Sequence, residues 1–323
     1  MHAPTAEPTR LDAEPALIGV DWGTSSCRAY LMNAEGRVLD AVASNKGILQ
    51  IEGGAFAQTL NELIGAWRHP GLPVILSGMI GSRQGWMEVP YVPTPAPFET
   101  IADALIRHPD DADIFVVPGL AQDLPGQVPD VMRGEETQII GAVGKASDRQ
   151  LLVMPGTHSK WVLVENQEVV WFATFMTGEL FAVLKDHSIL GRLMSEGEDR
   201  HGRRAFAQGL DAARALPGGL LQHLFSVRTL GLFDRLAGDD VAAYLSGLLI
   251  GHELADALGH VETASDRPPI TVIGASALAE RYRTALAHRG IDAGEAGEDV
   301  AAYGQYRIAR AARLVQPSDG CAA

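Results

Sequence analysis

The chain reads as an α/β protein made of two similar domains, each built on a mixed sheet. Three observations predict this. A hairpin occurs twice: residues 21–38 run DWGTSSCRAYLMNAEGRV and residues 154–171 run MPGTHSKWVLVENQEVVW. Aligned, the copies match Gly23 with Gly156, Thr24 with Thr157, Ser26 with Ser159, Asn33 with Asn166 and Glu35 with Glu168. Each copy is then followed by alternating helical and strand patterns, the signature of an α/β domain. The length of 323 residues also fits two domains, at roughly 100–200 residues each.

In the first half, residues 16–21, 25–33 and 36–43 read as three antiparallel strands, with the second reversal at Asn33–Gly36. The apolar spacing of AFAQTLNELIGAWR predicts a helix over 55–68. PVILSG (73–78) and IFVVPG (114–119) are short buried strands. ETQIIGAVGKA (136–146) is helical, with Glu135 and Glu136 at its start, where exposed amides favour acid. The second half repeats the order. Strands are expected at 150–155, 159–165 and 168–175, then a helix over 178–190 and a largely helical insert over about 195–262. ITVIG (270–274) is a buried strand, ASALAERYRTALAHRG a helix stopped by Gly290, and 300–315 a last helix. This divides the chain into a first domain at 15–147, a second at 148–316, and tails at 1–14 and 317–323 with no packing signal. The duplication predicts a cleft between the two sheets.

A net charge of −14 argues against a nucleic-acid partner. Any phosphate must then be held locally, by backbone amides, a metal or a few cations. Cys27 and Cys321 form no CxxC pair and imply neither a disulfide framework nor a zinc site. No stretch reaches the ~18 uninterrupted apolar residues of a membrane span. The longest candidate, AAYLSGLLIGHELADAL, carries Ser, Gly, His, Glu and Asp and reads as a buried helix. No membrane partner is expected, and a cytoplasmic, reducing compartment fits.

The candidate chemistry gathers at strand ends. Asp21 precedes Gly23, Thr24 and Ser25, and a Gly-Thr turn lets backbone amides approach a phosphate. A carboxylate there can hold Mg²⁺, usually through water; a plain hairpin with Asp as turn residue is the alternative. Gly156 and Thr157 repeat the turn, followed by His158 and Lys160. Lys160 is placed to reach a phosphate or to be merely solvated. The Gly274-Ala275-Ser276 turn suits close approach of a flat ring or a ribose, or a helix cap by Ser276. Glu135 and Glu136 follow Arg133-Gly134 and offer either a general base or a capping pair. Ser77, Gly78 and Gly81 form a Gly-bounded turn that suits a small polar ligand, with Trp86 beside it or packed in the core. The familiar nucleotide motifs fail: GAVGKAS lacks the first Gly and the final Ser/Thr of a P-loop, and no GxGxxG follows a strand.

The paired turns, the SGMIG segment and the VIGAS turn resemble the actin/hexokinase-like ATPase superfamily, whose domains are ribonuclease-H-like. Within it, DWGTSSCRAYL, SGMIGSRQGWMEVPY, VMRGEETQIIGA, MPGTHSKWV, FMTGEL, YLSGLLIG and VIGASALAERY resemble the 2-dehydro-3-deoxygalactonokinase family, from about residue 17 to 313. The resemblance implies transfer of the ATP γ-phosphoryl group to the 6-hydroxyl of the sugar acid 2-dehydro-3-deoxy-D-galactonate, in galactonate catabolism. Gly23 and Thr24 would hold the γ end of MgATP, and Gly156 and Thr157 the β end. Asp21 would order a hydrated Mg²⁺. Adenine would lie against Gly274 and Ala275, supported by the helix that ends at Gly251. The sugar acid would lie against Ser77, Gly78 and Gly81, with Trp86 as a wall. Arg133 would sit near its carboxylate or near the transferring phosphate, and Glu135 would accept the hydroxyl proton. The superfamily often has Gly-Gly where this chain has Gly274-Ala275, and many related sugar kinases have Asp where it has Glu135. Glu136 and Asp21 stay open as competitors for the base. A homodimer through the insert also stays open.

Overall fold

The computed structural model describes residues 14–316 apart from 127, 145–148, 196–201, 216, 262–266, 275 and 298. The expected tails therefore fall almost wholly outside the described residues, as do Cys321 and Ala275. The chain forms two compact units, Met1–Lys145 with Asp299–Ala323, and Ala146–Glu298.

In the first unit, β1 (Pro15–Trp22), β2 (Cys27–Asn33) and β3 (Val38–Ser44) form an antiparallel meander. Two further strands, β4 (Val74–Ser77) and β5 (Ile114–Val116), extend the sheet in parallel from β1, so the order runs β3-β2-β1-β4-β5. Ile106–Arg107 closes the edge antiparallel to β5. The central strands read as near-continuous apolar runs because helices cover the sheet; Leu17, Ile18, Val20, Val74, Ile75 and Leu76 are all fully buried. The helices are α1 (Phe56–Ile64), α2 (Phe98–Asp103) and α3 (Glu135–Ala142).

The second unit repeats the order. Its meander is β6 (Arg149–Met154), β7 (Ser159–Glu165) and β8 (Glu168–Phe175). β9 (Ile270–Ile273) and β10 (Ala293–Ala296) add in parallel, giving β8-β7-β6-β9-β10. The helix α4 (Thr177–His187) follows the meander, and the insert contributes α5 (Gly202–Ala215), α6 (Leu220–Leu232) and α7 (Val241–Val261). α8 (Ala277–His288) lies between the last two strands. α7 is long and apolar enough to cross a membrane, but 78% of its apolar window is buried in this fold. It is the core helix that the sequence suggested, its Leu245, Leu248 and Leu254 in one cluster with Phe206, Leu210, Val227 and Tyr282.

One boundary needs correction. The last helix, α9 (Val300–Ala311), was expected to close the second domain at 148–316, yet it packs in the first unit, against α3 and β1. Gly141 of α3 and Gly304 of α9 face the partner backbone so closely that no Cβ would fit at either. Arg307 caps the α3 end by donating to the Ile140 and Val143 carbonyls. The tertiary crossing decides the assignment, and the position of the helix in the sequence does not reveal it. Sequence patterning also missed a small sheet of Val92–Pro93, Leu120–Gln122 and Asp130–Met132. Its strands are too short for a period to register.

Candidate functional site: two Gly-Thr turns and a buried acid pair

In the first unit the site collects at the C-terminal ends of parallel strands, the usual ligand edge of an α/β sheet. The β1/β4 register sets Asp21 opposite Ser77. Gly78 (φ 89°) and Gly134 (φ 107°) then take backbone conformations that side chains resist. A Cβ on Gly78 would lie 3.3 Å from Asp21 Oδ1, and one on Gly134 would lie 3.1 Å from the Gly78 Cα. Asp21, Gly78, Gly134 and the start of α3 thus form one contiguous surface.

The two carboxylates there feel each other. Asp21 is pushed up to about 6, chiefly by desolvation, with Arg28 opposing and the Glu135 charge adding. Glu136 points the other way, into the protein. It is fully buried, its Oε2 accepts from Gly134 N at 2.6 Å, and its Oε1 has no partner. Desolvation, then the charge of Glu135, pushes it up to about 8. Glu135 is only half-buried, and its Oε2 accepts from Arg133 N at 3.1 Å.

Arg133 is 9% exposed and lies over the Tyr91 ring at 4.3 Å. Its Nη2 donates to Val89 O at 2.7 Å, while Nε and Nη1 have no partner among the described residues. A Cβ on Gly81 would sit 3.0 Å from Nη1, so Gly81 keeps that face clear. A buried guanidinium with two free donors is expensive unless an anion meets it.

Two sequence candidates change meaning. Ser77 does not offer its hydroxyl to a ligand. It is fully buried, accepts from Gln305 Nε2 at 2.8 Å, and faces α9. Trp86 stacks on Phe56 at 6.5 Å and lies 4.3 Å from the His108 ring, so it serves the core.

The two Gly-Thr turns share an open glycine. Neither Gly23 nor Gly156 has a positive φ, and a Cβ on either would meet nothing closer than 3.5 Å and 3.7 Å. Nothing in the protein requires glycine there. An absent Cβ leaves room for a ligand to reach the backbone. The first turn is held from behind, by Ile48 N on Gly23 O and Leu49 N on Thr24 O, leaving Thr24 and Ser25 exposed. The second is held by α4, whose Glu179 N donates to Thr157 O at 2.9 Å and whose Glu179 carboxylate pairs with His158. Lys160 is buried, not solvated.

A cavity of about 380 Å³ opens beside the second turn, lined by Gly156, Thr157, Gly178, Leu249, Ile250 and Arg281. A larger one of about 1010 Å³ shares Phe181 and Arg281 with it and adds Lys185 and Arg192. Gly274 (φ 113°) turns the chain into α8, and Ser276 caps that helix by accepting from Ala279 N. Gly251 is absent from the lining. It lies where α7 crosses α5, with Ala213 and Leu210 against it and Arg289 donating to its carbonyl, so packing rather than adenosine explains that glycine.

Two units of one topology, each with a Gly-Thr turn after its first strand, define the actin/hexokinase-like ATPase fold. The family model for 2-keto-3-deoxy-galactonokinase matches residues 21–308. The chain belongs to that family. It is 39% identical over 302 residues to a Rhizobium meliloti protein named as a probable 2-dehydro-3-deoxygalactonokinase, covering 92% of this chain and 97% of that one. It is 36% identical over 284 residues to the Escherichia coli 2-dehydro-3-deoxygalactonokinase, covering 88% and 94%. A crystal structure from Sinorhizobium meliloti described as the same kinase superposes with a TM-score of 0.83 at 39% identity, covering 91% of this chain and 98% of that one.

Proposed function

We propose that this protein transfers the γ-phosphoryl group of ATP to the 6-hydroxyl of 2-dehydro-3-deoxy-D-galactonate. The observation that carries the reading is the family match along nearly the whole chain, combined with Asp21 at a strand end, Glu135 at the start of α3 and a buried arginine with two donors unmet among the described residues. Gly23 to Ser25 and Gly156 to Thr157 are the phosphate turns, and the open space at each glycine fits a close-approaching phosphate. The 380 Å³ cavity serves the nucleoside side, and the Gly274 turn leads into α8, whose Leu278, Arg281 and Tyr282 line it.

Among the described residues no cluster of three or more His, Cys, Asp or Glu could by itself hold a metal. Asp21 would hold a hydrated Mg²⁺ through water. When bound it neutralises charge on the transferring group.

Arg133 reads the carboxylate of the sugar acid, since its Nε and Nη1 each keep a donor that meets no partner among the described residues. Glu135 accepts the proton of the attacking hydroxyl. The new bond joins that oxygen to the γ-phosphorus, the bond to the β-phosphate oxygen breaks, and ADP leaves. Glu136 is unsuited to be the base because it is fully buried and bonded to Gly134 N.

The test is coupled ADP release with Mg²⁺, ATP and either 2-dehydro-3-deoxy-D-galactonate or its gluconate epimer. Turnover of about 1–100 s⁻¹ on the galactonate acid is expected, with much less on the epimer. Equal rates would replace the assignment with a broader sugar-acid kinase. Nucleotide binding without turnover on either would remove the substrate assignment.

A further inference from the structure

A second buried acid lies in the other unit. Glu253, midway along α7, is 3% exposed. Its Oε1 accepts from Ser159 Oγ at 2.8 Å and from Trp161 Nε1 at 2.7 Å, and its Oε2 from the Tyr282 hydroxyl at 2.6 Å. The side chain of Thr177 is a fourth partner. Burial pushes this carboxyl up, and the four hydrogen bonds pull it back.

The four donors come from three elements. Ser159 and Trp161 begin β7, two and four residues past Thr157. Thr177 is the first residue of α4, whose Gly178 packs directly on the Gly156–Thr157 backbone. Tyr282 lies on α8, the helix entered through the Gly274 turn. One carboxylate therefore gathers both ends of the phosphate turn's support and the helix that lines the adjoining cavity.

We propose that Glu253 is a positioning residue for the nucleotide, fixing the Gly156–Thr157 amides relative to the cavity beneath α8. This rests on the nucleotide reading of that turn. Glu253 touches no ligand itself. It acts through Ser159 and Thr177, one residue group on either side of the turn. Four donors on one acid define a single arrangement, and a fully satisfied buried network of this kind rigidifies what it joins.

The experiment measures, for the full chain, the Kd of a non-hydrolysable ATP analogue by calorimetry, KM for ATP, KM for the sugar acid, and Tm. Glu253→Ala is expected to weaken analogue binding and raise KM for ATP by ~10-fold or more, because sub-ångström to 1 Å misplacement is felt strongly. KM for the sugar acid should stay within about twofold, since that ligand is read in the other unit. Glu253→Gln should recover most of the affinity. Its carbonyl still accepts from Trp161 and Ser159, and the Tyr282 and Thr177 hydroxyls can turn to accept from its amide. Should Glu253→Ala fail to fold, Ser159→Ala cuts only the Ser159 ties to Glu253 and Tyr282 and should still weaken the analogue by ~3-fold or more, with a smaller loss of Tm than removal of the whole carboxylate. Analogue affinity unchanged in Ser159→Ala and Glu253→Ala would overturn the proposal, as would equal loss of both ligands tracking Tm. Wild-type protein that does not bind the analogue would overturn the nucleotide reading itself, and this proposal with it.

Discussion

Glu136 makes the pH dependence of stability calculable. Its carboxyl is fully buried and pushed from its ordinary 4.5 up to about 8. Below about pH 4.5 it is protonated whether the chain is folded or not, and it contributes nothing. Above that, the unfolded chain ionises while the folded one does not. Unfolding then releases a proton, and stability falls until the folded group ionises near 8. A gap of about 3.5 pH units at about 1.4 kcal/mol each gives a penalty of about 5 kcal/mol, fully present above pH 8. Glu136→Gln removes the ionisation and keeps an oxygen to accept from Gly134 N. The amide that replaces Oε1 finds no partner, which costs a constant ~1–3 kcal/mol at every pH. The informative quantity is therefore the difference between variant and wild type across pH, measured by urea titration at pH 5, 6, 7, 8 and 9. The variant should gain on the wild type steadily from pH 5 to 8 and then hold level. A difference that stays flat from pH 5 to 9 would refute the assignment of a raised, buried acid. Since Glu135 contributes to the shift, Glu135→Gln in the wild-type background should end the same fall at a lower pH and so reduce its total.

Three further outcomes are expected. Glu135→Gln should lower kcat by ~10²–10⁴, the range for loss of a general base, with nucleotide affinity unchanged; near-normal turnover removes Glu135 from the proton transfer. Asp21→Asn should shift the Mg²⁺ titration of activity to higher concentration, and in the wild type the Mg²⁺ requirement should climb as pH drops through about 6, where Asp21 takes up a proton. Gly156→Ala should leave Tm within a degree or two, because its Cβ meets nothing closer than 3.7 Å. The same variant should weaken nucleotide binding by ~10-fold, the scale of about 1.4 kcal/mol, and unchanged affinity would show that no phosphate approaches that backbone.

The parts of this protein that follow local rules were legible in its sequence. Apolar runs broken by Gly-Thr gave both meanders, and the repeat of the turn pointed to the duplicated fold. Asp21, Glu135 and Arg133 stood out because strand ends and helix starts collect ligands. What stayed hidden depends on orientation and on long-range crossings. Ser77 sits at the right strand end, but its hydroxyl is held by Gln305, 228 residues away. Gly251 resembles a ligand-contact glycine until α5 is seen against it. Glu253 has its donors 94, 92 and 29 residues away, so no window along the chain could gather them. The membership of α9 was equally invisible, since its partner α3 lies roughly 160 residues earlier in the chain.

That last helix has a consequence for biosynthesis. The first unit is made from two stretches of chain with the whole of the second unit spliced between them. A ribosome delivers β1 to α3 first, then all 153 residues of Ala146–Glu298, and only afterwards the α9 segment that seals α3 and β1. The second unit is contiguous and complete before the first can close. During that interval the α3 surface around Gly141, and Ser77 with its bond to Gln305 unmade, wait uncovered in the nascent protein. The half that carries Asp21 and Glu135 therefore closes only after the whole of the second unit has been made, when α9 arrives to cover α3 and β1.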